Sequence, residues 1–77
     1  MTIVLAGLPV IVEMFDSGRP TAFWWNNRRH AIVEYVCHWD DLCSVSEHWL
    51  VVSEAELPVS LIYDHERVEW FLEWVDD

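Results

Sequence analysis

The stretch that decides the fold runs from Thr21 to Trp39 and reads TAFWWNNRRHAIVEYVCHW. A short aromatic segment leads into Asn26-Asn27, and a longer segment rich in β-branched and aromatic residues follows. Asparagine tolerates the left-handed backbone conformation that a two-residue hairpin turn requires. Because β-branched and aromatic residues favour strands, the stretch predicts a β-hairpin with its turn at Asn26-Asn27.

The second strand of this hairpin is predicted from Arg29 to about Trp39. Its side chains alternate, and the more apolar parity predicts the face that packs into the core: Ala31, Val33, Tyr35, Cys37 and Trp39. Ile32 and Val36 lie on the opposite parity, which predicts a bend or a bulge in this strand. Such bending is what a small barrel requires.

Turn signals divide the rest of the chain into similar short segments, with strands predicted over residues 9–15, 49–55, 58–64 and 68–75 and a loop over 40–47. The last segment alternates like a strand but also carries acids at helical spacing, so a short helix stays open. Residues 1–8 are predicted to be a loose arm or an edge strand. The sequence therefore predicts one all-β domain over residues 1–77, a small SH3-like barrel of five or six antiparallel strands.

Composition and charge limit the function classes. The 77 residues are 53% hydrophobic and include six tryptophans, which is how so short a chain builds a core. The net charge is −10, with no lysine, which argues against binding a phosphate backbone or an anionic membrane and fits a basic protein partner. Acidity that only keeps the domain in solution is the simpler alternative. Two cysteines and no signal peptide predict a cytoplasmic protein.

The chain also resembles a known family through a series of short motifs: Gly18-Arg19-Pro20, Phe23-x-Trp25, Arg28-Arg29-His30, Ile32-Val33-Glu34, Trp39, Trp49, Ile62-Tyr63-Asp64 and Trp70-x-Leu72-x-Trp74-Val75-Asp76. It is similar to the bacterial domain-of-unknown-function family numbered 6504 over residues 12–77. Members of that family occur as short stand-alone proteins and as tails on Y-family polymerase-like proteins of the mutasome. The resemblance implies a compact β-barrel and a link to DNA repair or translesion synthesis, and it supplies no catalytic residues.

The chain departs from the family in its central strand and the loop that follows. Family members tend to carry basic residues there, where this chain has Cys37, His38, Asp40 and Asp41. A nucleic-acid-binding role is therefore not carried over from the resemblance.

The candidate protein-binding residues are two aromatic and three acidic side chains. Trp24 and Trp25 are adjacent in a strand, so they point to opposite faces and one of them is predicted to lie outside the core. Exposed tryptophan is a favoured anchor at protein interfaces. Asp40, Asp41 and Glu47 would attract an arginine or lysine of the partner. The alternative is that Trp24 packs under the N-terminal segment or in a dimer contact.

Metal binding and catalysis have little support in the sequence. Cys37, His38, Cys43 and His48 are of zinc-ligating type, and a metal-binding or catalytic module around Cys37, Cys43 and His48 is a further alternative. However, structural zinc sites space their cysteines more closely, and Cys37 is predicted to face the core. A Cys–His nucleophile would need an orienting third group and a pocket. We therefore expect no metal, no cofactor and no enzymatic activity.

Two functional hypotheses follow. The first is a non-catalytic protein-interaction domain of a bacterial protein, linked by the resemblance to DNA repair. It would bind another protein with a basic surface, without direct contact to nucleic acid or membrane, and an exposed edge strand would allow a homodimer. The alternative is an acidic DNA-mimic inhibitor of phage or mobile-element origin, which predicts that the acids cluster on one face.

Overall fold

The structure is a computed structural model and describes residues 2–76. Seven strands, all paired antiparallel, form one sheet in the order β1-β7-β6-β5-β4-β3-β2. Their bounds are β1 Thr2–Val10, β2 Val12–Met14, β3 Pro20–Trp25, β4 Arg28–Asp41, β5 Ser46–Ser53, β6 Pro58–Asp64 and β7 Glu69–Asp76. Within the described part there is no helix, and hence none long and apolar enough to cross a membrane.

The sheet curls back on itself through a single residue. Its two outermost strands, β1 and β2, are consecutive in the chain and are separated only by Ile11. The Ile11 carbonyl accepts a hydrogen bond from the backbone N–H of Trp24 (2.9 Å). Because β1 pairs with β7 and β2 pairs with β3, the kinked segment around Ile11 joins the outermost strands at the two ends of the sheet. The prediction of an all-β, barrel-like fold is confirmed.

The predicted number of five or six strands is wrong, because residues 2–76 form seven. The difference arises at the N-terminal segment, which is an outermost strand of the sheet, one of the two predicted alternatives, and not a loose arm: residues 2–10 pair with β7, interrupted by a bulge between Val4 and Leu8. Residue 1 lies outside the described residues. The last segment is a strand and not a helix, since Glu69–Asp76 pairs with β1 on one side and with β6 on the other. Pairing with two strands gives the backbone of β7 hydrogen bonds on both sides, which a short helix would not provide.

The predicted hairpin turn lies where the sequence placed it. Asn26 and Asn27 have φ of 54° and 60°, and the pair Trp25 and Arg28 flanks them across β3 and β4. Positive φ at both central residues is the requirement of a type I′ turn, whose twist matches that of the flanking strands.

Strand β4 contains two bulges, and they overturn its predicted core face. The pairing with β5 shifts register between Ile32 and Glu34 and again between Tyr35 and Cys37. Each bulge inserts one residue, so the side chains beyond it exchange faces. The core-side residues are therefore His30 and Ile32, then Tyr35, then His38 and Asp40. Of the predicted core face, Val33, Cys37 and Trp39 are exposed.

The predicted loop over residues 40–47 is shorter than expected. Strand β4 continues to Asp41 and β5 begins at Ser46, so Asp40, Asp41 and Glu47 are strand residues. Asp40 lies opposite Glu47 in the pairing of the two strands. Oδ1 of Asp41 accepts a hydrogen bond from the backbone N–H of Cys43 (2.9 Å), which closes the turn that the sequence assigned to a long loop.

The core lies on the concave face and is carried by the central strands. Its buried members come chiefly from β5, β6 and β7, with one residue from β3: Trp49, Val51, Val59, Leu61, Trp70, Leu72, Val75 and Phe23. We call the face that bears these residues the core-side face. On this face, the end of β4 and the start of β5 lie beside the aromatic side chains of Tyr63 and Trp70. Part of the candidate site lies here.

Candidate functional site

Trp24 and Trp25 occupy the two faces of β3. Trp25 is partly buried and packs against the core, whereas Trp24 is 41% exposed. Trp24 lies opposite Arg29 in the β3–β4 pairing. A large aromatic ring that leaves the core in so small a domain is available to a partner.

Charged neighbours hold the surroundings of Trp24 in place. The Arg29 guanidinium donates to both oxygens of Glu13, with Nε–Oε2 at 2.7 Å and Nη2–Oε1 at 3.4 Å. The hydrogen bond from Arg29 is the main reason that the pKa of Glu13 lies below its ordinary value, and the side chain of Trp24 lowers it further. The same ion pair raises the pKa of Arg29. The carboxylate of Glu13 is thus held by Arg29 beside Trp24.

A groove of about 320 Å³ lies beside Trp24, and we call it the Trp24 groove. One wall is apolar and comes from β1 and its kink, with Leu8, Val10 and Ile11. The other wall is formed by the two tryptophans and the Asn26-Asn27 turn. Ile11 is 72% exposed and Leu8 41%, so the wall is open to solvent.

One further depression shares residues with the Trp24 groove, and another shares a residue with that depression. The first, of about 330 Å³, shares Val10 and Ile11 with the Trp24 groove and adds the acidic Glu69. The second, of about 340 Å³, shares Trp70 with the first and reaches Glu47 and His65. The three depressions are linked by these shared lining residues, and we call the series from Trp24 to Glu47 the track.

The structure brings the predicted site residues together only in part. Trp24 and Trp25 lie near the start of β4, and Asp40, Asp41 and Glu47 lie at its far end. Glu47 reaches the same track of depressions as the tryptophans. Asp41 is committed to the β4–β5 turn, where the hydrogen bond from Cys43 lowers its pKa.

Acids gather at one end of four neighbouring strands. Asp41 pairs with Ser46, Ser46 with Asp64, and Asp64 with Glu69, which places three carboxylates in one row. Four strands span about 14 Å at the usual strand spacing. Glu47 and Asp40 form part of the next row. This end of the sheet therefore presents a concentrated negative potential.

Two histidines converge on the carboxylate of Glu47. Nε2 of His38 donates to Oε1 at 3.0 Å, and Nε2 of His65 donates to Oε2 at 2.8 Å. The His38 ring stacks on Trp49 with centroids 3.7 Å apart and planes 13° apart. Asp40 lies next to both on the core-side face. We call His38, Asp40, Glu47 and His65 the carboxylate–histidine cluster.

The weak zinc candidates of the sequence do not form a site. Cys37 and Cys43 are free and exposed, and Cys37 does not face the core as predicted. His48 stacks on Trp39 with its Nε2 3.6 Å from Asp41. Among residues 2–76, the one set of three metal-ligating side chains that meet is His38, Asp40 and Glu47.

Sequence reasoning named His38 only beside the cysteines as a residue of zinc-ligating type, and it missed His65, Ile11 and Glu69 as site residues. Alternation placed His38 on the outer face of β4, and no local signal marks the bulge that turns it inward. His65 follows β6 and meets Glu47 only because β5 and β6 pair. Ile11 carries a usable signal: an apolar residue between two strand segments, close to Pro9, marks a kink where a side chain can be left exposed.

Comparison with protein-family models, with curated proteins and with solved structures finds no match to this chain. The resemblance to the family numbered 6504 therefore stays a prediction.

Proposed function

We propose that this chain is a non-catalytic protein-interaction domain that binds an extended segment of a partner along the track from Trp24 to Glu47. The observation that carries the proposal is the series of three depressions with shared lining residues, of which the first contains an exposed tryptophan and the last a carboxylate. The preferred segment has an apolar anchor followed by arginine or lysine.

The apolar end supplies the affinity. Trp24, Ile11 and Leu8 together expose a patch that binding would remove from water, and burial of apolar surface contributes about 25 cal/mol per Å².

The acidic end supplies specificity and rate. Glu69 and Glu47 line the second and third depressions, and the net charge of −10 attracts a basic segment from a distance. Arginine fits better than lysine where a carboxylate lies beside aromatic rings, because its planar guanidinium also stacks on them. Tyr63 and Trp70 are the rings beside Glu47.

The finer classification forms part of the proposal. A curled antiparallel sheet with a bent, bulged β4 supports an SH3-like barrel, and in such barrels aromatic residues beside acidic loops form peptide grooves. A cytoplasmic setting and a link to DNA repair come from the sequence and from the resemblance.

Selection from a library of random peptides tests this function. We expect the selected sequences to share an aromatic or aliphatic residue near an arginine or lysine. Trp24→Ala should weaken their binding by about thirtyfold, the effect of losing a hot-spot residue worth about 2 kcal/mol. Trp39→Ala is the matched control, since Trp39 is 45% exposed but stacks on His48 outside the track.

Circular dichroism of each variant separates loss of binding from loss of fold. Glu69→Gln should weaken binding and reduce its dependence on salt. Failure to select any peptide, selection without basic residues, or equal loss in the Trp24 and Trp39 variants would each contradict the proposed function.

The DNA-mimic hypothesis has narrower support. The row of Asp41, Asp64 and Glu69 favours it, but Asp41 and Asp64 accept hydrogen bonds from the backbone of their own turns. The remaining acids are spread over the other elements and turns, among them Glu13, Glu34, Glu54, Glu56 and Glu73. A phosphate-like array on one face would need a more concentrated set.

A further inference from the structure

We propose that the carboxylate–histidine cluster binds a divalent transition-metal ion, with zinc as the reference ion. His38, Asp40 and Glu47 would supply the ligand atoms, and His65 would hold Glu47 in position. The inference shares Glu47 and His65 with the acidic end of the track, but its evidence is the set of donor atoms at the end of β4 and the start of β5 and does not include the Trp24 groove.

The donor atoms already lie close enough to share an ion. The ligating atoms of His38, Asp40 and Glu47 are all within 4.8 Å of one another. A zinc ion bound at about 2.0–2.2 Å from each donor needs donors about 3.3 Å apart. Small rotations of exposed or half-buried side chains close that gap, and the backbone need not move.

The backbone brings these side chains together. Asp40 and Glu47 are a cross-strand pair, and His38 precedes Asp40 by two residues on the same face. The bulge after Tyr35 puts His38 and Asp40 on the core-side face, where Glu47 lies on β5. The stack of His38 on Trp49 fixes the plane of the imidazole, and the 2.8 Å contact from His65 occupies the far oxygen of Glu47. A second group that orients a ligating carboxylate is a regular feature of metal sites.

The charges favour a cation at this point. Two carboxylates placed directly across a strand pair repel each other. Asp40 has no hydrogen-bond or ion-pair partner among residues 2–76. The arginines whose contacts are defined are occupied elsewhere: Arg29 with Glu13, Arg67 with Asp64, and Arg19 over Phe15 and Tyr35. An ion between Asp40 and Glu47 would remove the repulsion.

The donor set also selects the ion. Imidazole together with carboxylate suits zinc and its neighbours, whereas magnesium and calcium prefer oxygen ligands alone. Binding displaces the hydrogen bond between His38 and Glu47, so the Nε2 lone pair of a neutral imidazole faces the ion and its proton resides on Nδ1 or leaves to solvent.

Isothermal titration calorimetry with zinc chloride tests the inference. All proteins carry Cys37→Ser and Cys43→Ser, because exposed thiols would themselves bind zinc. We expect one zinc per chain, and we expect His38→Gln and Asp40→Asn each to weaken binding by at least about tenfold. The matched control is His48→Gln, which removes the other histidine–carboxylate pair of the same hairpin and should leave zinc binding unchanged.

Site-specific and ion-specific readouts complete the test. On adding zinc, the ring signals of His38 in a ¹H–¹⁵N spectrum should shift, while those of the buried His30 should not. Magnesium chloride should bind at least about tenfold more weakly than zinc. No zinc uptake, equal affinity for magnesium, or a loss in His48→Gln as large as in His38→Gln would overturn the inference. If peptides still bind when zinc does not, the peptide-binding proposal survives alone.

Discussion

Val68 has the least favourable backbone conformation for its residue type in this chain. Its φ is 55°, and it is the one β-branched residue with positive φ among residues 2–76. A branched Cβ in the left-handed region collides with the backbone, at a cost of about 1–2 kcal/mol. The side chain is 69% exposed, so it gains little packing in return.

Replacement of Val68 by asparagine should stabilise the domain by about 1 kcal/mol, because asparagine tolerates positive φ. Urea denaturation monitored by tryptophan fluorescence measures the change. Val45→Asn is the control: Val45 is similarly exposed and lies in the neighbouring β4–β5 turn, without positive φ. Equal effects of the two substitutions would show that the strain at Val68 contributes nothing.

Asp41 illustrates how a residue that the sequence assigned to binding also supports the fold. The hydrogen bond from the Cys43 N–H is the main cause of its lowered pKa, followed by contacts with Ser44 and His48. A lowered folded-state pKa means that the ionised carboxylate stabilises the fold. That contribution is complete above the ordinary value of 3.8 and disappears as the pH falls through the lower, folded-state pKa.

Asp41→Asn should therefore reduce the loss of stability between about pH 5 and about pH 2, since the titrating group is gone. The free energy of unfolding, measured by urea titration at several pH values, provides the test. Asp40→Asn removes a charge from the same strand end without removing a backbone hydrogen bond, so it controls for the loss of charge alone. A steeper acid dependence in Asp41→Asn than in the wild type would refute the assignment.

Strand β6 is the best-buried element of the sheet. Val59, Ser60 and Leu61 are consecutive and buried, although strand side chains alternate between faces. Both faces of β6 are therefore covered over this stretch. β6 is paired with β5 on one side and β7 on the other, and Val59 and Leu61 belong to the core.

Leu61→Ala should cost about 2–5 kcal/mol, from lost burial and from the cavity left behind. Native domains are stable by about 5–15 kcal/mol, so this change brings a chain of this length close to unfolding. Leu42→Ala is the matched control, because Leu42 is 99% exposed and its truncation should change stability by less than about 0.5 kcal/mol. Thermal denaturation followed by circular dichroism compares the two. Similar melting temperatures of the Leu61→Ala and Leu42→Ala variants would show that Leu61 does not contribute to the core.

At the scale of the whole molecule, charge opposes folding. A net charge of −10 on 77 residues concentrates like charges when the chain becomes compact. The acids at the ends of β4 to β7 make that repulsion strongest at one end of the sheet. Salt reduces such long-range repulsion once the Debye length falls below the size of the domain.

Raising sodium chloride from about 10 mM to about 150 mM shortens the Debye length from about 30 Å to about 8 Å and should raise the melting temperature by several degrees. Differential scanning calorimetry provides the measurement. A variant with Glu54→Gln and Glu56→Gln, both exposed in the β5–β6 turn, should show a smaller rise. A melting temperature that falls with salt would mean that favourable ion pairs outweigh the repulsion.

The sequence alone predicted the features that depend only on residues close together in the chain. The aromatic and β-branched runs predicted strands, and Asn26-Asn27 predicted a turn with positive φ, because these preferences arise from sterics within one or two residues. The excess of acidic residues predicted a negatively charged domain, because net charge depends on composition alone. For the strands and the turn, the physical cause lies within the segment itself.

What lies between segments was decided only by the tertiary structure. Alternation put Cys37 and Trp39 in the core and His38 outside, but two bulges in β4 reverse the faces, and a bulge is set by the partner strand. The pairing of β5 with β4 and β6 brings His38 and His65 to Glu47, and the kink at Ile11 turns the N-terminal segment into a strand of the sheet. The sequence by itself thus determined strands, a turn and a charge, whereas register and curvature decided which side chains meet, because these depend on contacts between residues far apart in the chain.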